Sequence, residues 1–516
     1  MKLNNKRTIL VGFAFFLICA FWQAYDATIP VILTNKFGMS QTASGIIMAL
    51  DNILAVFMLP IFGALSDKCR SKHGKRTPFI TIGTTIAAIA LVSLAFVDNA
   101  QLQNLTDVSA IDEPAALSVV YDRQKDATLQ TPEGEEFVLG QVFKQEDFAS
   151  ITTQIQLASG KTIINPDYTN YVVPARQACA AQATAAQPAY LYMFIALLLA
   201  VLIAMAIFRS PAVALMPDVT IKPLRSKANA IINLMGTAGG ILVLVLGMVF
   251  ATSAVHNAMM NYFVYYGIIA AIMLLALTVF LLTVRETRWA KEMQEESIRL
   301  GIEESEEDSG EKRRLSKAEM RSMLLILLSI ALWYIGYNAV TSKYSLYASS
   351  VLGMDYNTTL LLAQGAAIIS YIPAGMVASK IGRKKTILAG VVMLTAAFAI
   401  AAFMRAGSSV LLMNVLFALA GIGWATINVN SFPMVVEMCS GADIGKYTGY
   451  YYTASMAAQI VTPIFSGYLM DQMGMVVLFP YAAIFVALAF VTMVFVRHGD
   501  TKIVAKKGLK ALDIED

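Results

Sequence analysis

Two carboxyl side chains stand inside stretches of sequence that are otherwise apolar. Asp26 lies in the run from Thr8 to Leu33 and Asp51 in the run from Thr42 to Leu65. On helices rising about 1.5 Å per residue, they sit about 11 Å and about 14 Å from Leu33 and Thr42. If the two runs are antiparallel neighbours, the carboxyls share a depth, and neither run offers a lysine or arginine at that level. Ionisable groups so deep in apolar sequence are expensive and usually functional. A pair without a cationic partner in either run suits the uptake and release of a proton. Asp51, the more central, is the favoured proton carrier, and Asp26 the acceptor of a ligand's hydroxyls. The reverse assignment is nearly as good, and in a third reading each Asp caps polar neighbours in a water-lined cavity.

Other chemistries find no foothold. There is no Walker loop to hold a nucleotide, and His73, His256 and His498 all fall outside the apolar runs, which excludes a histidine relay within them. No cofactor and no metal site is expected. Of the four cysteines, Cys19, Cys69, Cys179 and Cys439, only Cys179 falls in the segment placed outside, so no external disulfide framework is expected.

These carboxyls need elements to position them, and the composition says which. The 516 residues are 57% hydrophobic and 14% charged, against about 45–50% and about 25% in soluble domains. The charges are also clumped: residues 98–188 hold twelve acids and five bases, and residues 285–321 hold eleven acids and nine bases. What remains is too poor in charge to face water, which excludes a disordered chain, a coiled coil and an ordinary cytosolic enzyme. A net charge of +4 is too small to argue for a nucleic-acid partner. The partner implied is a lipid bilayer.

A membrane span needs about 20 mostly apolar residues. Twelve are expected: Thr8–Leu33, Thr42–Leu65, Thr77–Val97, Tyr190–Phe208, Ala228–Ala251, Met260–Val284, Met323–Leu346, Asn357–Ser379, Thr386–Met404, Val410–Val436, Tyr447–Met470 and Met475–Val496. The first is too long for a signal peptide and lacks a cleavage site, so it is expected to stay. Lys and Arg concentrate in the 2–3, 4–5 and 8–9 connections, around Lys68–Arg76, Lys222–Lys227 and Lys380–Lys385. By the positive-inside rule these connections and both termini are cytoplasmic, in a multi-pass protein of the plasma or bacterial cytoplasmic membrane. The segments are then 1–97 (spans 1–3), an outside insertion 98–188, 189–284 (spans 4–6), a charged cytoplasmic linker 285–321 read as a solvated tether, 322–497 (spans 7–12) and a tail 498–516. Alternation in Glu135–Lys144 and Ile151–Ile164 predicts a small β-rich cap, a passive decoration in preference to a gate.

The chain also contains itself twice. Gly63–Asp67 leads into Gly74-Lys-Arg-Thr77, as Gly375–Ser379 leads into Lys380-Ile-Gly-Arg-Lys-Lys-Thr386, and the same offset sets Tyr25-Asp26 against Tyr337-Asn338. Further on, Ser210-Pro211 matches Phe432-Pro433, and Arg225 falls against Lys446. Two six-span halves joined by a linker place a ligand site near the midplane between them.

The pattern Gly-x-x-Ser-Asp, six residues, then Gly-Lys-Arg-x-Pro from Gly63 to Pro78 resembles the signature loop of the major facilitator superfamily. More narrowly, Gly63-Ala-Leu-Ser-Asp-Lys-Cys-Arg-Ser-Lys-His-Gly-Lys-Arg-Thr-Pro-Phe-Ile80 resembles the sucrose–proton symporters. Ser210-Pro-Ala-Val-Ala-Leu-Met-Pro-Asp218, Ala228-Asn-Ala230 and Trp22-Gln23 resemble further motifs of that branch. Pro60-Ile-Phe-Gly63 is shared with the broader glycoside–pentoside–hexuronide cation symporters. The resemblance implies an all-α membrane fold of two pseudo-symmetric six-helix halves and transport of a glycoside. The chain departs from it where coupling is carried: the plant symporters' buried acid aligns to Leu202, their motif arginine to Val213, and the sodium-site acids of melibiose-type carriers to Ala55 and Leu59.

A sugar needs neutral donors and acceptors and an aromatic face for its pyranose ring. The candidates are Gln23, Tyr25, Asp26, Asn52, Asn233, Tyr337, Asn338, Gln364, Trp424, Asn428 and Gln459. Asn430 is two residues from Asn428 and cannot share its face of a helix. Each serves equally as an interhelical hydrogen bond, and Asp26 with its repeat partner Asn338 is preferred. On the cytoplasmic side, Asp67 and Arg76, Asp218 and Arg225, Arg383, and Glu437 and Lys446 are candidate gate residues, stabilising an outward-open form and parting as the halves rock. Pure positive-inside topology is the alternative for the bases. The expected function is proton-coupled symport of a disaccharide or related glycoside by alternating access, as a monomer, with sodium as the other possible coupling ion. Proton-driven efflux of amphipathic compounds and a non-transporting sensor built on 98–188 are the rivals. An enzyme is not expected.

Overall fold

The computed structural model describes residues 3–156, 162–221, 225–299, 315–436, 438 and 444–500. Within these, twelve long helices carry the fold: α1 (Asn5–Asn35), α2 (Gln41–Lys68), α3 (Thr77–Gln103), α4 (Ala189–Asp218), α5 (Arg225–Val249), α6 (Phe263–Thr283), α7 (Lys317–Tyr347), α8 (Tyr356–Ile381), α9 (Arg383–Ala401), α10 (Val410–Val436), α11 (Ile444–Met473) and α12 (Leu478–Val494). Ten of the described helices are apolar and long enough to cross a membrane; α8 and α11 are equally long but interleave Thr, Ser and Gln with their apolar residues. Helix is forced on such sequence because a bilayer offers backbone groups no partner outside their own segment. Several starts are written locally: Asn4 caps α1, Ser40 caps α2, Asp355 caps α8, and Ser316 with Glu319 forms a capping box at α7. Each such cap is worth about 1 kcal/mol.

The helices gather into two halves, each with its own core. In the first, Phe21, Leu91, Phe208 and Ile232 are buried together; in the second, Trp333, Tyr344, Phe398 and Phe479. Across the divide α2 packs on α11, α5 on α8 and α1 on α7. The face carrying the 2–3, 4–5 and 8–9 connections is the basic face, and the other, which bears residues 98–188, is the insertion face.

The internal repeat becomes physical at the basic face. The Glu286 carboxylate, just past α6, accepts the backbone N–H groups of Arg76 and Thr77 at 2.8 Å each and so caps α3. The Asp500 carboxylate, just past α12, accepts the Arg383 N–H at 2.7 Å at the start of α9. Each carboxylate presses on a glycine of positive φ, Gly74 (118°) and Gly382 (95°). A Cβ on Gly74 would fall 2.2 Å from Glu286, so Gly74→Ala meets a clash and a strained backbone together. It is expected to cost about 2 kcal/mol, read as a lower melting temperature of the purified protein, and relieved in part by Glu286→Ala.

Two expectations need correction. The linker does not begin as a free tether: Glu286–Arg299 is a helix docked on the first half, with Glu286 and Trp289 buried and Arg7 paired to Glu292 at 2.6 Å. Among the described residues the insertion is not β-rich. Its strands β1 (Thr128–Gln130) and β2 (Glu136–Val138), then β3 (Gln154–Gln156) and β4 (Thr162–Ile164), make two three-residue hairpins. Helices such as Pro114–Gln124 and Val173–Ala186 carry the rest, around a core of Leu117, Val120, Phe148, Tyr168 and Cys179. The alternation at Glu135–Lys144 ends after three residues because Leu139 turns into a one-turn helix to reach that core.

The insertion is welded to the first half. At the junction, Lys36 at the end of α1 is fully buried and donates to both carboxylate oxygens of Asp98 on α3 and to Met260 O, each at 2.7 Å, which ties α1, α3 and the 5–6 connection together beneath the insertion. Gln101 Nε2 donates to Lys36 O at 2.8 Å and to Thr184 Oγ1 at 3.1 Å, and Gln177 Nε2 to Asn35 Oδ1 at 2.8 Å.

Candidate functional site

Between the halves lies a cavity of about 450 Å³. The first half contributes Trp22, Gln23 and Asp26 from α1, Arg209 from α4 and Thr237 from α5; the second contributes Tyr337 and Thr341 from α7, Gln364 from α8 and Trp424 from α10. The rings of Tyr337 and Trp424 stack at 3.7 Å with their planes 2° apart, and Tyr334 meets Trp424 edge-on at 5.2 Å. This puts a flat aromatic wall on one side. Gln364 Nε2 donates to Gln23 Oε1 at 2.5 Å, an amide bridge across the two halves at mid-depth. The Asp26 carboxyl opens on the cavity, and among the described residues no side chain hydrogen-bonds to it.

Five of the expected ligand contacts therefore meet in one place: Gln23, Asp26, Tyr337, Gln364 and Trp424. Six do not line the cavity. Tyr25 is buried against Phe21 and Trp22, its hydroxyl without a partner among the described residues. Asn338, the repeat partner of Asp26, is turned into protein, where its Nδ2 has no partner among the described residues. Asn52 Nδ2 donates to Asp51 Oδ1 at 2.7 Å. Asn233 is exposed elsewhere on α5, Asn428 is half-buried off the cavity, and Gln459 Nε2 bonds Ser455 O within α11 at 3.3 Å. Asn430 likewise donates back to Thr426 O at 2.8 Å. The reason is helical phase: spacing sets which residues share a face, and only packing says which face meets the cavity. Asp51 is also off the cavity wall, but near enough to Asp26 for the two carboxyls to act on one another.

Arg209 corrects the view that the two carboxyls have no cationic neighbour. The apolar run ends at Phe208, which sets Arg209 just outside the expected span, but α4 continues to Asp218 and carries it into the cavity. Its guanidinium lies over the Trp22 ring at 5.5 Å, a cation–π distance, and within electrostatic reach of Asp51. Long basic side chains extend their charge away from the Cα, so a cation bordering a span was the available signal.

At the basic face Arg76 is the hub. Its Nε donates to Asp218 at 2.7 Å, its Nη2 to Asp67 at 2.5 Å, and its Nη1 to the Ser66 hydroxyl. The ends of α2, α3 and α4 are thus joined within one half. Arg383 bonds Asp500 through its backbone, as above. Glu437 and the side chains of Arg225 and Lys446 lie outside the described residues.

The insertion face is closed. Asp471 of α11 accepts the N–H groups of Gln41 and Thr42 at 2.7 Å each, together with the Thr42 hydroxyl, so the second half caps α2 of the first. The buried Lys343 of α7 donates to Gln41 O at 2.9 Å. Ser253 donates to Asp355 at 2.5 Å, and Tyr356 to Thr252 at 2.8 Å. The basic-face bonds were expected to stabilise an outward-open form and to part as the halves rock; instead the Arg76 network is complete while the insertion face is shut.

Among the described residues, twelve long helices in two pseudo-symmetric halves around an aromatic-walled cavity with a few polar groups define a polytopic membrane protein. A family model described as Major Facilitator Superfamily matches residues 11–108, 177–370 and 361–513. The chain belongs to the Major Facilitator Superfamily. The stretches leave out 109–176, inside the insertion. It is similar to the MFS-type transporter ppzB of Metarhizium rileyi (strain RCEF 4871), 27% identical over 137 residues, 26% of this chain and 28% of that protein. It is also similar to the sucrose transport protein SUC3 of Arabidopsis thaliana, 37% identical over 67 residues, 13% of this chain and 11% of that protein. The chain thus spans well under a third of the length of the curated relatives it matches. Among solved structures, the xylose transporter XylE from E. coli in an inward open conformation gives a TM-score of 0.55 at 16% identity, covering 98% of both chains. A bacterial homologue of the iron transporter ferroportin in an inward-facing state gives 0.58 at 11%, covering 96% of this chain and 99% of that one. These likenesses are of fold.

Proposed function

We propose that the protein is a secondary active transporter that carries a disaccharide or related glycoside together with a proton, by alternating access, with the basic face and both termini in the cytoplasm. The observation that carries this reading is the cavity wall: a flat Tyr337–Trp424 pair facing the Gln23–Gln364 amides and the Asp26 carboxyl. An aromatic plane stacks on the apolar face of a pyranose, while amides and a carboxylate read its hydroxyls. A volume of about 450 Å³ suits a solute of one or two rings. In this scheme Asp26 accepts sugar hydroxyls, Asp51 carries the proton, and Arg209 supplies the counter-charge that an empty, deprotonated site needs. The Arg76 network with Asp67 and Asp218 keeps the first half rigid as it rocks.

The test is a pH electrode outside proteoliposomes challenged with a panel of disaccharides, wild type beside Trp424→Ala. Sugar-induced alkalinisation is expected for the wild type. Trp424→Ala should need about 10- to 100-fold more sugar for half the response, the loss of one well-packed aromatic contact. Silence of the folded, inserted wild type toward every sugar would overturn the sugar reading and bring forward efflux, a reading that the Met-rich, aromatic spans favour.

A further inference from the structure

The insertion is fixed to the first half, yet its tip rests on the second. The turn between β1 and β2 crosses the divide at the insertion face. Val476 N–H, just beyond α11, donates to Pro132 O at 3.2 Å. Glu133 accepts from Arg405 Nε of the 9–10 turn at 3.2 Å. Between these contacts two glycines meet backbone to backbone. Gly134 has φ 94° and Gly474 has φ 84°. A Cβ on Gly134 would fall 2.7 Å from Met473 O, and one on Gly474 would fall 2.5 Å from Gly134 N. A second point of contact sets Ile164 of β4 against Gly353 before α8.

We propose that the β1–β2 turn, 131–135, is a latch that holds the insertion face closed and must leave its seat on 473–476 and Arg405 whenever that face opens. The argument is mechanical. The tip belongs to a body with its own core, bound to α3 through Gln101–Thr184 and to the end of α1 through Gln177–Asn35, so it moves with the first half. Its seat belongs to the second half. Two halves that rock about a central site separate most at their rims, so these contacts cannot persist in both states. They add to the Asp471 and Lys343 clamp and bias the equilibrium toward closure at this face. A decoration would need no glycine on each side of a divide and no ion pair across it.

The proposal rests on alternating access but not on a sugar being the solute, and its test needs no substrate. Cys19 lines the central cavity. In full-length protein with Cys69, Cys179 and Cys439 replaced by Ser or Ala, a membrane-impermeant thiol reagent applied at the insertion face reads how often that face opens. Gly134→Val, which wedges the tip from its seat, and Arg405→Glu, which turns an attraction into a repulsion, are each expected to raise the labelling rate roughly fivefold to tenfold. Glu133→Lys combined with Arg405→Glu should return it toward the parent. A disulfide between Pro132→Cys and Val476→Cys, whose backbones already touch, should suppress labelling until reductant is added. Unchanged labelling in the wedge and after cross-linking would overturn the latch. No labelling in the parent or in any variant would overturn alternating access itself.

Discussion

Asp51→Asn is expected to abolish sugar-driven proton movement while leaving sugar exchange in place. The variant keeps the size of the side chain and a hydrogen-bonding group for Asn52, which lies at 2.7 Å from Asp51 in the native chain, and removes only the ability to take a proton. External alkalinisation on adding sugar should fall by roughly a hundredfold or more, as when a proton-transferring group is lost. Exchange of labelled for unlabelled sugar across the same vesicles should survive, because Asp51 is not on the cavity wall. Asp26→Asn should behave differently. Its carboxyl faces the cavity, so the expected loss is of sugar affinity, with the remaining flux still coupled. Alkalinisation that persists in Asp51→Asn and vanishes in Asp26→Asn would exchange the two roles. Arg209 sharpens the distinction, since it lies within reach of Asp51 and over Trp22 at once.

The second large effect is structural. Lys36→Met removes one member of a fully buried ion pair and leaves the Asp98 carboxyl with no countercharge. Breaking such a pair from one side costs about 3–5 kcal/mol, since the remaining charge is stranded in a poor solvent. Lys36 also bonds Met260 O and lies 4.8 Å from the Tyr262 ring, so its loss loosens the 5–6 connection as well. A marked drop in the thermal midpoint of the detergent-solubilised protein is expected. The double variant Lys36→Met with Asp98→Leu should recover most of the loss, because neither charge is then buried alone. If the single and double variants fall equally, the pair matters for packing rather than for charge.

Much of this protein was legible in its sequence, and the reason is the bilayer. A solvent that satisfies no backbone group makes long apolar runs into helices whatever their neighbours, so twelve spans could be read from composition alone. The repeat was legible because duplicated halves keep their turns: Gly74 and Gly382 sit against the matching carboxylates of Glu286 and Asp500. Asp26 and Asp51 could be found because a carboxyl stands out in apolar sequence. The stacked pair of Tyr337 and Trp424, 87 positions apart in the chain, was legible only as two aromatic residues of suitable type.

Tertiary structure decided the rest. It chose Gln23 over Tyr25 and Tyr337 over Asn338 for the cavity, because neighbouring positions on a helix face different ways and packing sets the rotation. It brought Arg209 to the site from a helix that outruns its apolar stretch. It seated the β1–β2 turn on the far half and set the end of α2 in the grip of Asp471 and Lys343. Arg209 had only its place at the border of a span as a signal, and the others have no sequence signature, because each depends on two segments distant in the chain meeting at one point in space.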